Sequence, residues 1–189
     1  MSELLTKYPI VVTVPVQWGE MDAYGVVNNT VYFRYFQASR AEYLERCGLF
    51  ASYDRDLIGA ILHSTECRYR ASLQYPDMVV VGSRVSALED DRFTVQHRAL
   101  SQRSGRLAAE GSAVIVAFDY RARTKTKLPD AVRRRIAEIE GWDKTGADGN
   151  VSAHGVRSPD RAAAGSLQTC ARRGSNPQPS DPKSDALSS

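Results

Sequence analysis

Two carboxylates stand close together in a polar loop that directly precedes an apolar, helix-like segment. Glu20 and Asp22 lie in W-G-E-M-D-A-Y-G-V-V, and Asn28 and Asn29 follow that string at once. Either asparagine predicts a helix N-cap, because its side-chain oxygen can accept a hydrogen bond from a free backbone N–H of the first turn. First-turn N–H groups lack partners within the helix and favour negative charge. The sequence therefore places a carboxylate beside a position that can stabilise an anion.

The segment after the asparagines predicts one long helix that ends at Cys47. Gly48 follows it and is a typical left-handed terminator. The apolar side chains recur at helical spacing and form a broad, aromatic stripe; they are Val31, Tyr32, Tyr35, Phe36, Tyr43, Leu44 and Cys47. Such a stripe suits a helix that lies along a β-sheet.

Strand-like runs surround this helix. Tyr8–Val16 is rich in β-branched residues and predicts a first strand. Four further runs follow the helix, at residues 59–69, 77–89, 92–103 and 106–120. Turn residues separate them, so the pattern predicts an antiparallel meander. Pro129–Gly141 predicts a short terminal helix. The order of elements indicates an α+β domain, in which a single antiparallel sheet wraps around one long helix.

The composition changes sharply near Asp143. From there to the end the residues are mainly Gly, Ala, Ser, Asp, Arg and Pro, with few large aliphatic side chains. Such a segment buries too little apolar surface to offset the entropy lost on ordering. We therefore predict one folded domain over residues 1–142 and a disordered, low-complexity tail over residues 143–189.

The overall composition narrows the class of protein. With 189 residues, of which 42% are apolar, the chain is long enough for one domain with a core. The net charge of +3 gives no support for a nucleic-acid partner, and no apolar stretch approaches the roughly 20 residues that span a membrane. The N-terminus lacks the pattern of a targeting leader, so we expect a cytoplasmic protein. Cys47, Cys67 and Cys170 are far apart and do not cluster with histidines, so we expect neither disulfides nor a metal site.

The loop and helix also resemble a known family. The string W-G-E-M-D-A-Y-G-V-V-N-N-T-V-Y-F-R-Y-F-Q-A-S-R-A-E-Y-L is similar to the opening of the 4-hydroxybenzoyl-CoA thioesterase-like family, and Y-R-A-S-L-Q-Y-P-D-M-V-V-V is similar to its second strand and turn. The resemblance covers residues 8–140. It implies the hotdog fold and hydrolysis of an acyl thioester of coenzyme A, without a cofactor or metal. It also implies homodimers or homotetramers, with active sites at the dimer interface.

The resemblance assigns roles to individual residues. Asp22 matches the catalytic carboxylate, as general base or as nucleophile, and the backbone N–H of Asn29 matches the leading oxyanion donor, with Asn28 as its neighbour. Glu20 is expected to hold the loop by hydrogen bonds. Substrate contacts are predicted at Gly25, Val27, Asn28, Tyr32 and Ser72. Basic side chains predicted to hold the phosphates of coenzyme A are Arg70, Arg121 and Arg123.

Two alternatives remain open from the sequence. Without the family match, Asp22 is most simply a loop-capping aspartate, which is common before helices. The whole domain is alternatively a hotdog module that binds acyl-CoA without cleaving it. A hotdog hydratase is disfavoured, because that chemistry needs a histidine near the aspartate and none lies near Asp22. Val26 stands where the long-chain acyl-CoA branch often has histidine, which shifts the expected branch. The acyl group is not determined, because the depth of its pocket depends on side-chain packing across a dimer.

Overall fold

The computed structural model describes residues 3–142, which contain three α-helices and one sheet of six strands. The predicted tail, 143–189, lies outside the described residues. Two short 3-10 helices, Glu3–Leu5 and Trp18–Glu20, flank the first strand. The main elements are β1 (Ile10–Pro15), α1 (Val31–Arg46), α2 (Leu49–Asp56), β2 (Ile58–Tyr69), β3 (Met78–Leu88), β4 (Arg92–Ser101), β5 (Leu107–Asp119), β6 (Thr124–Lys125) and α3 (Asp130–Glu140).

The order of strands in the sheet differs from the predicted meander. Neighbouring strands follow the order β1-β3-β4-β5-β2, all pairs are antiparallel, and β6 pairs with β5. The meander prediction is correct for β3, β4 and β5 but wrong for β2, which pairs with β5 at the far edge. The link between β2 and β3, residues 70–77, is too long to be a tight hairpin turn, so it does not make these strands neighbours.

The sequence predicts no element between Gly48 and residue 59, but the structure has the helix α2 there. Its eight residues start after Gly48 (φ 79°) and end before Leu57, which adopts a left-handed φ of 58°. A leucine is an unusual helix terminator, because a side chain disfavours that backbone angle. None of the helices in residues 3–142 is both long enough and apolar enough to cross a membrane.

The long helix α1 packs its aromatic stripe against the inner face of the sheet. Tyr35, Phe36 and Tyr43 are almost fully buried there. Gly111 on β5 lies under this helix, and a Cβ atom there would lie 2.7 Å from Cε2 of Phe36 and 2.3 Å from the carbonyl oxygen of Glu66. The absence of a side chain at this position therefore allows the helix to lie directly on the sheet, as the prediction of a sheet wrapped around one helix requires.

A buried polar chain crosses the same interface. The hydroxyl of Ser39 on α1 is 2.5 Å from that of Ser83, which is 2.7 Å from Nδ1 of His97 on β4. The ring of Phe36 stacks on His97 at 5.0 Å. Burial, with a smaller contribution from the charge of Arg40, lowers the pKa of His97 to about 3. His97 is therefore neutral at ordinary pH and belongs to the core, not to the polar loop before α1.

Candidate active site

Residues 20–28 form a short hairpin directly in front of α1. Two backbone hydrogen bonds close it: the N–H of Asp22 donates to the carbonyl of Val26 (2.8 Å), and the N–H of Asn28 donates to the carbonyl of Glu20 (2.9 Å). Between them lies an isolated antiparallel bridge, Met21 to Val27. The hairpin thus fixes the backbone on both sides of Asp22 before the helix begins.

Gly25 lies at the tip of this hairpin and adopts a φ of 72°, which a glycine reaches without steric cost. No heavy atom lies within 4 Å of the position that a Cβ atom would take. The requirement for glycine here is therefore the backbone angle. A substrate contact at Gly25 stays a prediction.

The carboxylate of Asp22 is half-buried, and its two oxygens are used differently. Oδ1 accepts hydrogen bonds from the N–H groups of Tyr24 (2.8 Å) and Val26 (3.4 Å), which is the loop-capping role. Oδ2 has no hydrogen-bond partner among residues 3–142. Asp22 also lines an open cleft of about 490 Å³, whose other lining residues are Trp18, Gly19, Met21, Gly25 and Tyr75. Capping therefore uses one oxygen and leaves the other available for chemistry.

Asn29 holds the one uncommitted N–H group between the hairpin and the helix. The N–H of Asn28 donates to the carbonyl of Glu20, and a substrate contact at Asn28 stays a prediction. The side-chain oxygen of Asn28 accepts from the N–H of Thr30 (3.0 Å), and its carbonyl accepts from the N–H of Val31 (3.0 Å). The N–H of Asn29 has no acceptor in the described part of the chain. It lies at the start of α1, where the helix dipole adds positive potential.

Glu20 is buried behind the hairpin and anchors it to α1. Its Oε2 accepts from the hydroxyl of Tyr35 (2.6 Å) and from the N–H of Gln17 (3.0 Å), and its Oε1 lies 3.2 Å from the guanidinium of Arg34. Burial, the hydrogen bond to Glu20 and its charge all raise the pKa of Tyr35, so this phenol stays protonated and keeps donating. Glu20 therefore acts on the hairpin as a fixed support.

The other predicted substrate-contact residues do not share one surface. The side chains of Val27 and Tyr32 are only 4% and 3% exposed and pack in the apolar core next to the hairpin. The hydroxyl of Tyr32 donates to the carbonyl of Ala71 (3.4 Å) and accepts from the N–H of Leu73 (3.3 Å), which ties the β2–β3 link to α1. Ser72 is exposed in that link. Their contact with substrate stays a prediction.

The three basic residues predicted to hold the phosphates of coenzyme A stay a prediction, and within one chain they lie at opposite ends of the sheet. Arg70 follows the end of β2 that is near the hairpin, where it forms an ion pair with Glu110. Arg121 and Arg123 follow β5 at the end where Ile58 pairs with Asp119. These ends are separated by the length of β2, on the order of 36 Å at about 3.3 Å per residue. Similar charge along the sequence does not bring side chains together.

Sequence reasoning missed Tyr69, the last residue of β2. Its hydroxyl donates to the carbonyl oxygen of Asn29 at 3.0 Å. The only sequence signal was its position at the start of Y-R-A-S-L, in the string that matched the family. No group of three His, Cys, Asp or Glu side chains that could hold a metal ion occurs within residues 3–142.

Comparison with known proteins defines the class to which this fold and site belong. A model of the thioesterase-like superfamily matches residues 16–136, well over half of the chain. The protein belongs to the thioesterase-like superfamily, and the prediction of a hotdog fold is confirmed. A solved structure similar to it is a thioesterase from Thermus thermophilus complexed with coenzyme A and Zn. The TM-score is 0.64 and the identity 27%, over 72% of this chain and 97% of that chain.

Two curated relatives are also similar in sequence. One relative is a protein of Aquifex aeolicus (strain VF5) whose name describes it as an esterase. It is 35% identical over 83 residues, which are 43% of this chain and 65% of the relative. A chloroplastic acyl-acyl carrier protein thioesterase of Arabidopsis thaliana, ATL3, is 29% identical over 123 residues, 64% of this chain and 63% of that protein. The chain spans just under two thirds of the length of both.

Proposed function

We propose that this protein hydrolyses an acyl thioester of coenzyme A to the free acid and coenzyme A. The observation that carries the proposal is that the hairpin and the residue after it hold two uncommitted groups: Oδ2 of Asp22 and the N–H of Asn29. Thioester hydrolysis needs an activated nucleophile and a donor for the developing oxyanion. Membership of the thioesterase-like superfamily supports the reaction. The coenzyme A bound to the Thermus thermophilus relative supports the leaving group.

In the proposed reaction the carbonyl oxygen of the substrate accepts a hydrogen bond from the N–H of Asn29, which polarises the carbon–oxygen bond. Asp22 then takes a proton from water, and the resulting hydroxide adds to the carbonyl carbon. When the tetrahedral intermediate collapses, the carbon–sulfur bond breaks, and the proton held by Asp22 passes to the sulfur, which leaves as the thiol of coenzyme A. In the alternative route, Asp22 itself adds to the carbonyl carbon, expels the thiolate and forms a mixed anhydride that water cleaves. Both routes use the free oxygen of Asp22 as base or nucleophile and the N–H of Asn29 as the donor to the carbonyl oxygen.

The experiment that tests this proposal measures release of free thiol from acyl-CoAs with aromatic, short-chain and long-chain acyl groups. Acyl-acyl carrier protein serves as a parallel substrate, because the Arabidopsis relative is named for that carrier. We expect saturable hydrolysis of at least one acyl-CoA. Cleavage of the carrier thioester alone would contradict the choice of coenzyme A. Saturable binding of acyl-CoA without cleavage would instead support the non-catalytic binding module.

The proposed assembly is a homodimer in which the β2 strands of two chains pair. β2 has twelve residues and forms one edge of the sheet, and within residues 3–142 it pairs only with β5. A long unpaired edge strand offers a row of free backbone groups to a second chain. Sedimentation equilibrium is expected to give a mass of about 42 kDa, twice the 20.9 kDa of one chain, or a multiple of it if dimers pair. A mass of one chain at assay concentration would contradict this assembly.

A further inference from the structure

Tyr69 makes a contact between the edge strand β2 and the candidate oxyanion donor. Its hydroxyl donates to the carbonyl oxygen of Asn29 at 3.0 Å, although the two residues are 40 positions apart in the chain. The side-chain amide of Asn29 also interacts with the hydroxyl of Tyr69 and lowers the pKa of that phenol, against the larger effect of burial. The side chain of Asn29 is exposed, so packing does not fix this residue. The peptide group that follows the free N–H is therefore held at two points: its carbonyl accepts from the phenol of Tyr69, and its N–H, that of Thr30, donates to the side-chain oxygen of Asn28 at 3.0 Å.

The ring of Tyr69 is itself held in place. It meets the ring of Tyr32 edge-on, with the centroids 5.1 Å apart. Tyr32 is in turn fixed to the β2–β3 link through Ala71 and Leu73. Partial burial raises the pKa of Tyr69, so its hydroxyl is protonated and donates at neutral pH. A rigid donor thus reaches Asn29 from one side.

On the other side, the residue before Asn29 is held by the hairpin. The N–H of Asn28 donates to the carbonyl of Glu20 at 2.9 Å. Asn29 is consequently restrained through its own carbonyl and through its predecessor, and its N–H is the group left without an acceptor. Fixing the backbone on both sides of a donor limits the directions in which that donor can point.

We infer that Tyr69 is a positioning residue for the reaction: its hydrogen bond to the Asn29 carbonyl aims the Asn29 N–H at the substrate oxygen. This inference rests on the proposed function for its catalytic consequence, but the restraint on Asn29 stands on the geometry alone. Tyr69 acts through Asn29 and does not itself need to touch the reacting atoms.

The chain offers a closely matched control in Tyr120. Its side chain has similar exposure, 41% against 46% for Tyr69. Its hydroxyl donates to the carbonyl of Ala60 at 3.1 Å, and its ring meets that of Tyr53 edge-on at 5.2 Å. It lies near the opposite end of β2 from the hairpin. Tyr69→Phe and Tyr120→Phe therefore remove the same kind of hydrogen bond and keep the same kind of ring contact, but only Tyr69→Phe affects Asn29.

The first measurement is independent of activity. Asn28–Asn29 is the only pair of consecutive asparagines in the sequence. Labelling the asparagines with both ¹³C at the carbonyl and ¹⁵N therefore leaves one peptide bond with both labels, and an NMR experiment that correlates an amide with the preceding carbonyl reports the N–H of Asn29 alone. We expect Tyr69→Phe to shift or broaden this signal and to speed its exchange with solvent, whereas Tyr120→Phe leaves it as in the wild type.

The second measurement is steady-state hydrolysis of the best acyl-CoA. We expect Tyr69→Phe to lower kcat by about tenfold to a hundredfold with KM changed less than about twofold, because the donor is misaimed in the transition state while binding is kept. Tyr120→Phe is expected to match the wild type. An unchanged Asn29 signal, or a changed signal with unchanged kcat, would overturn the inference. If the wild type cleaves no thioester, the proposed function fails, and the NMR signal still decides whether Tyr69 restrains Asn29.

Discussion

Asp22→Asn is expected to lower kcat for acyl-CoA hydrolysis by about 10²–10⁴-fold, with little change in thermal stability. The substitution separates the two roles of this side chain. An asparagine keeps an oxygen that can accept from the N–H groups of Tyr24 and Val26, so the cap on the hairpin is preserved. It removes the charge and replaces the uncommitted carboxylate oxygen by an amide nitrogen, which can neither accept a proton nor attack a carbonyl carbon.

The matched control for this experiment is Asp119→Asn. Oδ1 of Asp119 also accepts two backbone N–H groups of its own loop, those of Arg121 and Ala122, both at 2.8 Å. It is half-buried like Asp22 but lies at the end of the sheet away from the hairpin. Its substitution is expected to leave kcat near the wild-type value. A variant of Asp22 that keeps full activity would remove this carboxylate from the mechanism and leave it with the capping role only.

Gly111→Ala is expected to have the largest effect on the fold. The added methyl group would lie 2.3 Å from the carbonyl oxygen of Glu66 and 2.7 Å from the ring of Phe36, and neither neighbour can move freely. Glu66 belongs to β2, whose neighbouring residue Cys67 pairs directly with Gly111, and Phe36 is fully buried. Overpacking of this kind lowers the free energy of unfolding by about 1–3 kcal/mol, and a clash with backbone places the variant at the upper end of that range.

Chemical denaturation in urea, followed by circular dichroism, measures this loss. Gly19→Ala is the control, because no atom lies within 4 Å of its added methyl group and its φ is not left-handed. We expect the urea midpoint of the control to stay close to that of the wild type. Equal midpoints for Gly111→Ala and Gly19→Ala would show that α1 does not approach the sheet as closely as described.

Local patterns were enough to predict most of the elements. The β-branched runs and the turn residues between them placed β3, β4 and β5 within two residues of their observed ends, and the aromatic stripe with Gly48 placed α1. The edge position of β2 was not predictable in the same way. Strand order depends on how the 70–77 link crosses the fold, and a link of that length carries no local signal for the neighbour of a strand.

The candidate site was likewise predictable from the sequence only in part. Asp22 and Asn29 were found through a sequence resemblance, which preserves residue types in order. The hydrogen bond from the N–H of Asn28 to the carbonyl of Glu20 joins two backbone groups. Every residue type except proline carries these groups, so the sequence does not reveal which of them pair. Tyr69 is 40 positions from Asn29, and Arg70 is about 50 from Arg121, yet only the first pair meets. Separation along the chain could not have told these two cases apart.

In the hairpin in front of α1, the residues that hold the backbone in place are different from the residues whose side chains can vary. Its base is tied to Glu20 and Asn28, and its capped carboxylate faces the cleft, but the side chains at its tip, Ala23 and Tyr24, are exposed, Tyr24 by 90%. Tyr24 takes part in the cap through its backbone N–H and not through its side chain. For directed evolution, codons 23 and 24, which lie between the cleft-lining residues Asp22 and Gly25, are therefore where a library can vary the hairpin at the least risk to folding, while the codons that flank them are best left untouched.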